Sequence, residues 1–236
     1  MISSNAILEI NTKNFIYNYK SLSKIANNSL TAATIKANAY GIGDIEAFKI
    51  LYKIGCRHFF LATIEEAKKI RDYTNKGNLY VLNGLESNEI DIYDRLNIIP
   101  ILNSIEEINK IINSKYFNTK FKFGIHIDTG LNRFGIKIND LPSKYFKKIN
   151  LEIIISHLAS ADEIKNKYSL IQNKKFKEAF KYFKSIKYKS ISNSAGILNN
   201  ECFHYDIVRP GIALYGGYNN INLKNNIKLK SVVTFK

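Results

Sequence analysis

The sequence predicts an α/β barrel, a ring of eight parallel strands with a helix after each. Three observations lead there. Eight short apolar runs recur along the chain, segments of helical periodicity separate them, and 236 residues is a routine length for a single barrel. The runs are "TAATIK" (31–36), "HFFLAT" (58–63), "LYVLN" (79–83), "IIPIL" (98–102), "FKFGIHID" (121–128), "LEIIIS" (151–156), "KSISN" (189–193) and "DIVRPG" (206–211). Strand–helix alternation implies parallel pairing and right-handed crossovers. Eight such units favour closure into a (β/α)8 barrel over the alternative, an open doubly wound sheet.

The elements follow in order. Before the eight units comes "AILEI" (6–10), a strand-like run leading into an amphipathic segment. The first unit ends in "ATIKANAYGIGD", where an apolar run delivers Lys36 and then a polar-aromatic turn with Gly41 and Gly43. Burying an ammonium without a partner is costly, so a lysine at that place asks for an explanation. After the second strand, Ile64, Ala67 and Ile70 mark a helix, with Thr63 and Glu66 at capping-box spacing. A further helix carries Phe176, Ala179, Phe180, Phe183 and Ile186 as a sheet-facing stripe.

Past Gly217 an Asn-rich stretch, "YNNINLKNN", precedes "IKLKSVVTFK" (227–236). Ile227, Leu229, Val233 and Phe235 share one face of a period-2 strand there, and Lys228, Lys230, Thr234 and Lys236 the other. One half-apolar strand is not stable alone, so it reads as the opening strand of a further β-domain. The expected organisation is a barrel domain with its N-terminal strand over 1–217, then a linker and that strand over 218–236.

Composition narrows the function. Thirty-five Lys and Arg against 20 Asp and Glu give a formal charge of +15. The lysines are dispersed among Asn and Ile, with no arginine-rich arm, zinc finger or RNP-like motif, so no nucleic-acid partner is expected. Attraction to small anions is. Cys56 and Cys202 match no CxxC or zinc spacing, which excludes a disulfide framework and suits a reducing cytoplasm. No apolar run approaches the roughly eighteen residues of a membrane span, and "MISSNAILEI" lacks a signal-peptide pattern. The expectation is a soluble, cytoplasmic protein.

In a parallel barrel, functional groups gather at the C-terminal ends of the strands. Those ends carry Lys36 and Tyr40, then His126, Asp128 and Arg133, then His157, Ser194, Arg209 and "PGIALYG". Such a rim is basic and suits a phosphorylated or carboxylate-bearing ligand. Each piece has an ordinary reading when taken singly. Lys36 could snorkel, Gly41 and Gly43 could simply make a turn, and Ser194 could cap a helix. His126 and Asp128 lack a third ligand at metal spacing, so no metal is expected.

Taken together, "IKANAYGIG", "HIDTGLNRFGI", "SHLASAD", "SNSAGIL" and "VRPGIALYG" occur in order at these strand ends. The chain resembles, nearly end to end, the N-terminal domain of alanine racemase, a pyridoxal-phosphate (PLP) enzyme of fold type III. The resemblance implies that Lys36 carries PLP covalently and then acts as a base on one face of the substrate. It implies that Tyr40, Ser194 and the backbone of Gly211 and Ile212 hold the phosphate. Arg209 would meet the pyridine nitrogen. Arg133 would hold the substrate carboxylate and the cofactor's phenolic oxygen. His157 would join the hydrogen-bond network between Arg209 and the second base.

The implied reaction interconverts L- and D-alanine for peptidoglycan, in a cytoplasmic homodimer. The family's second base is a tyrosine of the C-terminal β-domain, given by the other subunit, and no residue of this chain matches it. The chain as it stands is therefore expected to bind PLP and to racemise poorly. Its other departure is His126, which stands where many members have a lysine, often carbamylated, that orients the arginine matching Arg133. Either His126 replaces it by hydrogen bonding, or a small anion fills the gap. Three rival readings remain: a single-domain PLP carrier, an inert fragment whose tail strand binds a partner, and a PLP-independent enzyme using Lys36 on its substrate.

Overall fold

The structure, a computed structural model, describes residues 6–85, 89–117, 119–141, 147–217 and 227–236. The Asn-rich stretch 218–226 lies outside the described residues. Strands β3 (Ala33–Thr34), β4 (His58–Leu61), β5 (Asn78–Val81), β6 (Ile98–Leu102), β7 (Gly124–Asp128), β9 (Asn150–Ile155) and β10 (Ser185–Ser190) pair in parallel as consecutive neighbours. A two-residue strand, β8 (Ile136–Lys137), lies off this path beside the end of β7.

Strand β11 (Ile207–Val208) closes the ring. Asp206 N–H donates to the Lys189 carbonyl at 3.2 Å and Arg209 N–H to the Ser192 carbonyl at 3.0 Å, which ties this segment to the β10 side. On its other side β11 pairs with β2 (Leu30–Thr31), which runs directly into β3. Each of the eight sequence runs thus supplies one stave of a parallel barrel.

Period-2 alternation explains why both faces of these strands are apolar. One set of side chains points into the barrel: Ala32, Phe60, Tyr80, Ile99, Ile101, Ile153, Ile155 and Ile207 form their own buried cluster. Their strand neighbours Phe59, Leu61, Leu79, Val81, Ile98 and Leu102 point outward into the main core, packed with the helices. Inside the barrel, Phe60 and Tyr80 stack with centroids 4.6 Å apart. The interior is therefore filled, and open space is left only above it.

Capping fixes where the helices begin. In the helix Ile64–Tyr73, Thr63 accepts the Glu66 N–H, and in the helix Ile105–Ile112, Ser104 accepts the Glu107 N–H. The two glutamates then reach back past the cap. Glu66 accepts from Ala62 N–H, and Glu107 from Asn103 N–H.

Two expectations are corrected. The helix carrying Phe176 ends at Ala179, with a 3₁₀ turn over Phe180–Tyr182, and Ile186 belongs to β10 rather than to a helical stripe. Phe176, Phe180, Phe183 and Ile186 mimic helical spacing, but Ile186 and Tyr188 alternate in register with Leu151 and Ile153 of β9. The strand consequently begins four residues earlier than the sequence pattern suggested. In the tail, only Val233–Phe235 is a strand, antiparallel to Leu8–Ile10. Of the expected apolar face, Ile227, Leu229 and Val233 pack against the core, but Phe235 is 75% exposed and Val232 is fully buried instead. Asn18 of the first helix pins this segment by bonding both the N–H and the carbonyl of Lys230, which sets the frame in place of simple alternation.

Candidate active site

Above the barrel interior lies a cavity of about 420 Å3, within the range of small-molecule sites. Lys36, Tyr40, Arg133, His157, Ser194, Arg209, Gly211 and Ile212 all line it, so the structure brings every sequence-predicted site residue to one place. His126 lines it too, and Asp162 is the one carboxylate residue among the lining residues, so the cavity is basic.

The floor is built around Arg209. It follows β11, lies with its guanidinium carbon 5.6 Å from the Phe60 ring centre, and is 6% exposed. Its Nη1 donates to the Ser190 carbonyl at 2.8 Å and to Ser190 Oγ at 2.5 Å, and Nη2 to the Ser156 carbonyl at 2.6 Å. Every one of these acceptors is neutral. Burial pushes the guanidinium pKa down to about 9, which leaves it charged at neutral pH.

Lys36 opens an unusual stretch of backbone. Ala37, Asn38, Ala39 and Tyr40 all take left-handed conformations, with φ between 52° and 56°. This stretch is a turn of left-handed helix made without glycine, a costly arrangement for L-residues. Its entrance is pinned by Glu66, whose Oε1 accepts the Ala37 N–H at 2.7 Å while Oε2 takes the Ala62 N–H at the same distance. Its exit is Gly41, again with positive φ. Burial lowers the pKa of the Lys36 amine, the Arg133 charge lowers it further, and Glu66 opposes both. A neutral amine is thereby brought closer to physiological pH.

The wall opposite is a cluster of donors. Asn193 caps the short helix Ser194–Asn199 by accepting the Gly196 N–H, which fixes Ser194 at its first position. Ser194 Oγ then receives the N–H groups of Gly211 (3.0 Å) and Ala213 (3.2 Å). Converging backbone N–H groups of this kind suit an anion. Tyr40 leans over them, stacked on Tyr215 at 4.7 Å, with its hydroxyl so close to Gly211 that a Cβ there would lie 2.6 Å from it.

The two cavity histidines are neutral. Burial first, then the charge of Arg209, with further contributions from His126, Arg133 and Lys36, holds His157 well below the ordinary imidazole range. The side-chain bonds of Arg209 go to Ser190 and Ser156 rather than to His157. Burial, then Arg209, pushes His126 down to about 3, with Arg133 adding to this and Asp128 opposing it. Arg133 itself is exposed on the loop after β7, its guanidinium 5.8 Å from the Phe134 ring centre.

Sequence reading missed the supporting residues. Glu66 was visible as a capping-box glutamate, but its reach to Ala37 crosses between two strand ends and leaves no local signal. Gln172 is another. It binds the His157 carbonyl, Thr129 Oγ1 and the Ala159 N–H from a helix thirteen or more residues away.

Residues 10–219 match the family profile described as "Alanine racemase, N-terminal domain". The chain belongs to the alanine racemase N-terminal domain family. It is 37% identical over 232 residues to the alanine racemase of Rickettsia typhi, covering 94% of this chain and 57% of that protein. With the Rickettsia canadensis alanine racemase it shares 38% identity over 235 residues, or 96% of this chain and 65% of the relative. The chain thus spans a little under two thirds of the length of these racemases.

Among solved structures, it resembles alanine racemase from Bartonella henselae with covalently bound pyridoxal phosphate. The TM-score is 0.90 and the identity 32%, over 99% of this chain and 69% of that one. The Clostridium difficile alanine racemase in complex with cycloserine, at 24% identity and a TM-score of 0.88, covers all of this chain and 68% of its own; it shares the fold.

Proposed function

We propose that this domain binds pyridoxal phosphate through Lys36 and provides the cofactor-carrying half of a racemase acting on alanine. One observation carries the reading: an amine of lowered pKa, a serine hydroxyl held by two backbone N–H groups and a buried guanidinium share a single cavity. The residues fit that cofactor. Gly211 leaves the space a side chain would fill beside Tyr40, and the donor set matches a phosphate. When bound, pyridoxal phosphate supplies an electron sink that acidifies the Cα–H of an amino acid.

Each residue then has its work. Tyr40, Ser194 and the Gly211 and Ile212 backbone hold the phosphate. Arg209 donates a hydrogen bond to the ring nitrogen without surrendering its proton, so it restrains the sink and favours return of a proton to Cα. Lys36, with its pKa lowered, takes and returns that proton on one face. Arg133 grips the substrate carboxylate in a two-pronged contact. His157, to which the Arg209 side chain makes no bond, lines the cavity as a neutral imidazole. A base on the opposite face is assigned to none of the described cavity residues; we propose that a second subunit of a homodimer provides it.

The test uses the 236-residue chain. Mixed with PLP it should turn yellow, and borohydride should fix the label on the peptide containing Lys36, whereas Lys36→Ala should stay colourless. In deuterated solvent it should exchange the α-hydrogen of alanine faster than it inverts the centre. A colourless wild-type protein, or label fixed on other lysines, would overturn the proposal.

A further inference from the structure

After Gly211 the chain makes a single 3₁₀ turn, Ile212–Tyr215, in which the Leu214 N–H meets the Gly211 carbonyl at 2.9 Å. Such a turn leaves N–H groups pointing out of its start and carbonyls out of its end. At the start, the Gly211 and Ala213 N–H groups meet Ser194 Oγ beside the cavity. At the end, two segments far apart in the chain take the carbonyls. Asn18 Nδ2 donates to the Leu214 carbonyl at 3.0 Å, and the Val232 N–H to the Tyr215 carbonyl at 3.3 Å.

Asn18 is fully buried on the helix Thr12–Ile25. Its second amide hydrogen goes to the Lys230 carbonyl at 2.8 Å, and its oxygen takes the Lys230 N–H at 2.9 Å. Both hydrogens are used, and the orientation is settled, since a carbonyl only accepts and an N–H only donates. One side chain therefore holds the turn and the tail at once. Its neighbours hold the tail alone: Asn14 Nδ2 donates to the Ser231 carbonyl at 2.7 Å, and the Asn11 N–H to the Val232 carbonyl at 2.8 Å.

The tail is also packed tightly against the turn. Val232 is fully buried, and a Cβ at Gly216 would collide with the Lys230 carbonyl. Removing the Asn18 amide strips a partner from one backbone group of the turn and two of the tail, so the two segments loosen together. Coupling of this kind is reciprocal: whatever steadies the turn must steady the tail by the same factor.

We propose that Asn18 is a positioning residue for the turn that faces the phosphate. Through it, occupation of that turn and docking of Lys230–Val232 strengthen each other. This rests on the phosphate role given above to Gly211 and Ile212, and it carries that role to residues outside the cavity.

The PLP-free chain tests it, with inorganic phosphate as the probe. Phosphate should shift the Gly211 and Ile212 amide resonances, which gives its affinity. It should also slow hydrogen exchange at the Lys230 and Val232 amides by about fivefold or more, the low end of coupling between sites. That slowing should level off at saturation, because a local opening of the tail leaves the rest of the cradle in place. Asn18→Leu should weaken phosphate by a similar factor and abolish its effect on tail exchange. Asn14→Ala, which frees Ser231 but not the turn, should stay within about twofold of wild-type affinity. Thermal melting checks that each variant is folded.

Wild-type tail amides that ignore saturating phosphate would overturn the proposal, even if Asn18→Leu failed to fold. A slowing that keeps rising with phosphate would overturn it too, because it marks global unfolding in place of local docking. So would an Asn18→Leu of wild-type affinity, an Asn14→Ala as weak as Asn18→Leu, or Gly211 and Ile212 amides that do not respond. Failure of PLP to attach to Lys36, with these phosphate results intact, would instead sink the function proposed above.

Discussion

Gly211→Ala tests the phosphate cradle with a single methyl group. A Cβ at that position would meet Tyr40 Oη at 2.6 Å and Tyr40 Cζ at 3.4 Å, with Thr34 Cβ at an ordinary 3.7 Å. The phenol must therefore retreat by about 0.8 Å to reach normal contact, taken as 3.4 Å. It can do so, because Tyr40 is 39% exposed and is held chiefly by its stack on Tyr215. Stability should accordingly change by less than about 1 kcal/mol, below the usual range for overpacking a closed core. Binding should suffer more. A hydrogen bond to a charged group is worth about 1.5–3 kcal/mol, and losing the one from Tyr40 to a phosphate predicts PLP affinity lower by about ten- to a hundredfold. Titration of the PLP-free protein followed by absorbance gives the affinity, and urea denaturation of both forms gives the stability. An affinity within about twofold of wild type would refute the reasoning, as would a loss matched by an equal global destabilisation.

Other outcomes follow from the same geometry. Glu66→Ala releases the Ala37 and Ala62 N–H groups, and unfolding in urea should show a cost of about 1–2 kcal/mol. It also removes the charge that opposes burial and Arg133 at Lys36, so the pH profile of PLP attachment should move to lower pH; a move to higher pH would contradict this. His58 is buried against Tyr80 and Tyr188, and burial pushes its pKa down to about 4, with Lys187 adding to this and Glu152 opposing it. The unfolded chain takes up that proton first, near the ordinary imidazole value of about 6.5, so stability present above that pH is lost as pH falls toward 4. The contribution is about 3 kcal/mol, and His58→Gln should flatten the urea-stability curve between those limits; an unchanged slope would show that His58 does not titrate there.

How much of this was legible in the sequence depended on whether the signal was local. The eight staves could be read because Phe59 and Phe60, or Leu79 and Tyr80, are apolar on both faces, the mark of a strand covered on each side. The site residues could be read because each stands at the end of such a run, within a short motif. The β10 boundary misled, since Phe183 and Ile186 continue a helical spacing and only pairing with Leu151 reveals a strand. The tail alternated as far as Leu229 and Val233, but the burial of Val232 could not be read, because Asn18, more than two hundred residues away, pins Lys230. Nor could local pattern reveal that Asn103 bonds His126, since those residues meet only through adjacent staves.

The left-handed turn after Lys36 has a consequence of its own. Glycines would bridge the same gap and leave the chain free to wander, since they adopt either handedness with equal ease. Ala37, Asn38, Ala39 and Tyr40 admit few other shapes once Glu66 and Gly41 fix the two ends. Chirality thus restricts where the amine can travel. Replacing Ala37 or Ala39 with glycine ought to relieve the backbone while broadening the range of positions that Lys36 visits, trading steadiness of the reactive group for comfort of the fold.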